Sequence, residues 1–148
     1  MSVVDRPPLR ALTRREADIF ACLCDAAVDP RPPMPEVRDT RAVRFFDDWL
    51  ARAPGPNRAG LRAALHAMEL APLRRSRWRR RLRALPRERR AEVLEHAAKG
   101  RFGQAAVALY SMAQLAYYGD EAVMRSYGYD PDAVLERARR LRREERRW

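Results

Sequence analysis

Apolar residues recur along this chain at helical spacing, and nowhere alternate for long enough to make a strand. Ile19, Phe20, Leu23 and Ala27 form the first stripe. Ahead of it, Leu12-Thr13-Arg14-Arg15-Glu16 reads as a capping box, with Thr13 at the N-cap and Glu16 three residues on. That helix runs to about Val28, where Pro30, Pro32, Pro33 and Pro35 force an extended loop. Val43, Phe46 and Leu50 share a face of a second helix, with Phe45 and Trp49 beside it. Asp39 or Thr40 caps it, and it ends near Arg52. Pro54-Gly55-Pro56-Asn57 is a sharp break. Asn57 then caps a third helix bearing Leu61, Leu65 and Met68, and Pro72 kinks or restarts it. The next segment places Trp78, Leu82 and Leu85 on one side at ordinary core spacing. Arg74, Arg75, Arg77, Arg79, Arg80, Arg81 and Arg83 surround the rest.

Pro86 opens a further helix to Lys99, with Val93, Leu94 and Ala97 facing inward and Gly100 as its stop. Phe102 to Tyr118 is the most apolar segment: Phe102, Ala106, Leu109 and Ala113 lie on one stripe, with Val107, Tyr110 and Met112 near it. A helix apolar over most of its girth belongs at the centre of a core or an interface. Residues 117–131 then hold four of the five tyrosines. Gly119 suits a positive φ just past a helix end. Asp120 and Asp130 are good N-caps, and Pro131 follows at a first helical position. This reads as a helix end, one short helical turn, a tyrosine-rich loop and a last helix to about Arg146. Asp130 and Asp132 at its start and Arg142, Arg143, Arg146 and Arg147 at its end match the helix dipole. The predicted fold is all-α: an irregular bundle of six or seven helices in a single domain over 12–148, behind a flexible arm over 1–11.

A chain of 148 residues buries roughly 68–70% of its unfolded surface, enough for a core without staples. Its net charge of +11 is carried almost wholly by arginine, since Lys99 is the only lysine among 31 basic residues. Three readings follow: solvated helices, an acidic protein partner, or nucleic acid. Cys22 and Cys24, two apart on a helix, point about 200° away from each other and read as small buried apolar residues, not a disulfide. No apolar run approaches the roughly 20 residues needed to span a bilayer. The Arg14-Arg15 pair is followed by Glu16 and Asp18, with no apolar stretch or cleavage site, so the expected location is cytoplasmic.

Catalytic patterns are scarce. His66 precedes Glu69, and Val93 stands three before His96, so the Glu-x-x-His pairs of a di-iron bundle are missing. There is no glycine-rich phosphate loop. Asp47-Asp48 are neighbours that cannot face each other on a helix, and they read as a solvated face. The arginines from Arg74 to Arg90, with Trp78 able to stack on a base, make nucleic-acid binding the alternative function. The expectation is a chain with no catalytic, cofactor-binding or metal-binding residues of its own.

Two segments carry a resemblance. Leu82-Arg83-Ala84-Leu85-Pro86-Arg87-Glu88-Arg89-Arg90-Ala91-Glu92-Val93-Leu94 resembles the leucine-proline-glutamate-arginine segment of the gluconate 2-dehydrogenase subunit 3 family. Tyr117-Tyr118-Gly119-Asp120, followed by Tyr127-Gly128-Tyr129-Asp130, resembles that family's tyrosine clusters. Leu12-Thr13 with Glu16, Asp25 and Pro30 is similar as well, so the likeness spans about Leu12 to Asp130. It implies a small, non-catalytic partner of a larger flavin dehydrogenase of the glucose–methanol–choline type, in which the large subunit holds FAD and oxidises an alcohol or sugar. Members commonly carry a twin-arginine export signal, and this sequence departs from them there. Obligate interfaces are apolar and enriched in Tyr and Trp. The candidate contact residues are therefore Tyr117, Tyr118, Tyr127, Tyr129 and Trp148, each to be weighed against packing within the chain itself.

Overall fold

A computed structural model describes residues 8–74, 80–100 and 103–145. Among them are seven α-helices and no strand: α1 Arg14–Val28, α2 Ala42–Arg52, α3 Gly55–Leu70, α4 Arg87–Ala98, α5 Gly103–Tyr118, α6 Glu121–Ser126 and α7 Pro131–Glu145. The fold is the all-α bundle that the periodicity predicts.

Helix α5 is the axis, packing against α1, α2, α3 and α4. Its inner face is Ala106, Leu109, Ala113, Ala116 and Tyr117, all buried. Small residues on that face let the neighbouring helices approach closely, and Leu109 and Tyr117 fill the space between them. Ile19, Phe20 and Leu23 of α1, Phe46 and Leu50 of α2, Leu65 and Met68 of α3, and Val93 and Leu94 of α4 complete the core. Phe20 and Phe46 stack with ring centroids 4.0 Å apart. Both cysteines are free and buried. Burial pushes the Cys22 thiol up to about 11 and the Cys24 thiol higher still, so neither is a ready nucleophile.

The α1 capping box forms as read: Thr13 Oγ1 accepts from Glu16 N–H, and Glu16 Oε2 accepts from Thr13 N–H at 2.8 Å. Elsewhere the local readings need correction. Arg41, not Asp39 or Thr40, is the N-cap of α2, after a 3-10 turn over Val37–Asp39. Helix α3 begins at Gly55 behind Pro54, so Asn57 lies inside it rather than capping it. Leu82 and Leu85 are buried as expected, but Leu82 opens a 3-10 turn over Leu82–Ala84 and Leu85 follows it, with Arg81 and Leu85 extended. Pro86 forbids the helical conformation at Leu85, and a turn delivers both leucines to the core without a helix. Arg10 and Ala11 do not float. Their N–H groups, with that of Leu12, donate to the Asp47 carboxylate at 2.8–2.9 Å.

The Leu-Pro-Arg-Glu-Arg segment is a joint between helices. Pro86 is the N-cap of α4. Arg87 reaches Asp25 at 3.1 Å and Glu36 at 3.3 Å. Arg90 donates to the carbonyls of Leu85 and Arg83. Residues far apart in sequence thus clamp the start of α4 to the end of α1.

Candidate partner-binding surface

The segment from Tyr117 to Asp130 is held from below by the chain's own proline loop. Tyr117 is fully buried, and its hydroxyl donates to the Pro35 carbonyl at 2.7 Å. Burial, with the Tyr118 and Tyr127 phenols nearby, pushes its hydroxyl up to about 12. Tyr127 sets its hydroxyl on the Met34 sulfur. Asp120 caps α6 through the Ala122 N–H at 2.9 Å and with its other oxygen accepts from Arg41 N–H at 2.7 Å. One carboxylate therefore secures the start of α6 and the start of α2.

This corrects part of the sequence expectation. Tyr117 belongs to the core and is not available to a partner. The rings of Tyr118, Tyr127 and Tyr129 are exposed, Tyr127 most of all at 61%. Tyr118 meets Tyr117 edge-on at 5.3 Å. Trp148, like Trp78 and Phe102, lies outside the described residues.

The outer face of α5 exposes residues that the sequence reading did not name as contact candidates: Val107 and Tyr110, read there as lying near the apolar stripe, and Leu115. Leu115 is 58% exposed and Val107 50%. Tyr110 and Gln114, one turn apart, are joined by a 3.1 Å hydrogen bond. Burial and the Tyr127 and Tyr110 phenols raise the Tyr118 hydroxyl above its ordinary value. No residue of Gly103–Tyr118 is charged, in a chain that is 34% charged. Beside this face, a groove of about 340 Å³ opens between α4 and α5, its lining including Leu94, Glu95, Ala98, Val107 and Tyr110 with Ala26 of α1. The signal for this surface was legible as an uncharged 16-residue run. Spacing alone did not show that Val107 and Tyr110 point away from the core.

The charged residues are mostly occupied inside the molecule. Glu16 is buried and holds Arg62 at 2.8 Å and His66 at 3.1 Å. Burial raises its pKa, but Arg62 and the two Thr13 donors outweigh that and lower it to about 2. An anion so well satisfied is a poor general base. Asp47 is not the solvated residue its neighbour Asp48 suggested. It is fully buried; burial opposes its charge, yet the three N–H donors and Arg44 hold its pKa below the usual range. Glu69, also buried, is paired not with His66 but with Arg83, at 3.0 Å. Arg83, Arg87, Arg89 and Arg90 each face a carboxylate, so much of the described basic segment is committed to the fold. No described group of three or more His, Cys, Asp or Glu side chains converges as a metal site. No helix among the described residues is long and apolar enough to cross a membrane. No family model, curated protein or solved structure matches this chain.

Proposed function

We propose that this chain is the non-catalytic small subunit of an FAD-dependent alcohol or sugar oxidoreductase, binding and stabilising a larger flavoprotein chain. The observation that carries the reading is the uncharged outer face of α5, with Val107, Tyr110, Leu115 and Tyr118 exposed, together with the exposed rings of Tyr127 and Tyr129 in the segment that follows. Exposed apolar surface of this kind marks a contact site in a protein otherwise coated with charge. Tyrosine suits such a site, offering a large ring and a hydrogen-bonding tip. The resemblance of the Leu82–Leu94 and Tyr117–Asp130 segments to the gluconate 2-dehydrogenase subunit 3 family supplies the class of partner. FAD would belong to that partner.

The test is co-purification from the native host. The tagged chain is expected to bring down a larger protein that releases flavin on denaturation. Leu115→Asp with Tyr118→Ala is expected to weaken that complex by roughly tenfold or more, as truncations of interface anchors do. A chain recovered alone and without flavin protein defeats the reading. The alternative, a basic nucleic-acid-binding domain, rests on the +11 charge and predicts duplex affinity that falls steeply with salt.

A further inference from the structure

Helix α7 begins well and is then left uncovered. Asp130 caps it, accepting from the N–H groups of Asp132 and Ala133, and Pro131 follows at its first position. None of its 15 residues is buried. Yet Val134, Ala138 and Leu141 recur at i, i+4 and i+7, with Leu135 beside them. Val134, Leu135 and Leu141 are all 45–54% exposed. A lone helix of this length is marginal in water, because most helix stability comes from covering an apolar face. Nothing among the described residues covers that stripe.

The charges say what would. Arg137, Arg139, Arg140, Arg142 and Arg143 surround the stripe. Arg139 and Arg143 share Glu136, while Arg137, Arg140 and Arg142 form no ion pair among the described residues. A second copy of a +11 chain would set arginine against arginine. Nucleic acid would satisfy the arginines but leave the stripe unused, and would meet Asp132, Glu136, Glu144 and Glu145 on the same helix. A lipid surface takes bulky anchors such as Trp or Phe, and Val134, Ala138 and Leu141 offer little depth. What fits both features is a protein groove with an apolar floor and carboxylates along its rims.

We infer that α7 is a docking helix that enters an acidic, apolar-floored groove on a partner protein, as a second contact beside the α5 face. The identity of that partner as the flavoprotein rests on the function proposed above. The exposed Arg125–Asp132 pair at 3.5 Å links the first turn of the helix to α6. Because no α7 residue is buried, substitutions there leave the folded core as it is.

The experiment uses the full chain and the purified flavin-containing subunit that accompanies it. Val134→Asp with Leu141→Asp should weaken the complex by more than about tenfold. Arg137→Glu with Arg140→Glu should weaken it by roughly tenfold at low salt and less at high salt. Arg14→Glu with Arg15→Glu, the same charge change at exposed positions of α1, should alter affinity by less than about threefold. All three variants should melt like the parent chain. Flavoprotein binding unchanged by the α7 substitutions overturns the docking inference and leaves the accessory-subunit reading in place. A parent chain that holds no flavoprotein overturns both. Capture of the parent chain by duplex DNA or phosphatidylserine vesicles at physiological salt, abolished by Arg137→Glu with Arg140→Glu, overturns the protein groove.

Discussion

Asp47 shows how a residue's surroundings can be invisible in its sequence neighbourhood. Next to Asp48 it reads as half of a solvated pair, yet it is buried beneath three consecutive backbone N–H groups 35–37 residues away. Backbone donors carry no sequence signature, so spacing could not reveal them. Glu16 was half legible: the capping box gave its local partners, while Arg62 and His66 arrive from another helix. Tyr117 and Tyr118 are adjacent and look alike in sequence. The fold buries one and exposes the other because neighbours on a helix point about 100° apart. Asp47→Ala would strand three donors and is expected to cost about 3 kcal/mol, since each unsatisfied buried group costs about 1–3 kcal/mol. Asp47→Asn keeps one acceptor oxygen and should cost less. Urea unfolding gives the order, and faster hydrogen exchange at Arg10–Leu12 in Asp47→Ala would locate the cause.

Helix interiors were legible where a stripe, a cap and a stop agreed, as in α1, α4 and α7. They failed where tertiary contact replaced local chemistry. The N–H of the α2 N-cap residue Arg41 is satisfied by Asp120, 79 residues away, while Thr40 Oγ1 accepts from Ala42 N–H at 3.3 Å from one position before the cap. Leu82 and Leu85 have helical spacing, but Pro86 and a 3-10 turn bring them to the core instead. The tyrosine segment shows a similar exchange. Gly119 was expected to supply a positive φ, but that role falls to Gly128, at φ 76°. Gly119 is needed for space: a Cβ there would lie 2.8 Å from the Leu115 carbonyl oxygen. At Gly128 a Cβ meets nothing within 4 Å, so only backbone strain opposes substitution. Gly128→Ala should therefore cost about 1–2 kcal/mol. Gly128→Asn should cost less, because Asn tolerates that region. Gly119→Ala is expected to exceed both, since the clash is with backbone. Melting temperatures of the three variants rank them directly.

At the scale of the whole molecule, the charge excess and the buried carboxylates act together. Thirty-one basic residues face 20 acidic ones, and the bundle is cross-linked through Glu16, Asp47 and Glu69. The sequence showed the imbalance but not that these three anions sit inside. Glu16 falls from 4.5 to about 2 on folding, and Asp47 is also depressed. A carboxylate with a lowered folded pKa stabilises fully above its unfolded value and loses that contribution as pH falls through the folded one. Stability should therefore hold from neutral pH to about 5 and decline between about 4.5 and 2, where Glu16 alone accounts for roughly 3 kcal/mol. Over the same range the surface carboxylates also neutralise, leaving the arginines to repel one another. Salt separates the two effects, because it screens exposed charge far better than buried pairs. Glu16→Gln should be less stable than the parent at pH 7 and flatter between pH 4.5 and 2, with the gap closing toward pH 2. Added salt at pH 3 should raise both proteins by a similar amount without closing the gap. Unfolding midpoints across that grid check the argument. Parallel pH curves for Glu16→Gln and the parent would show that surface repulsion, not the buried anion, governs acid unfolding.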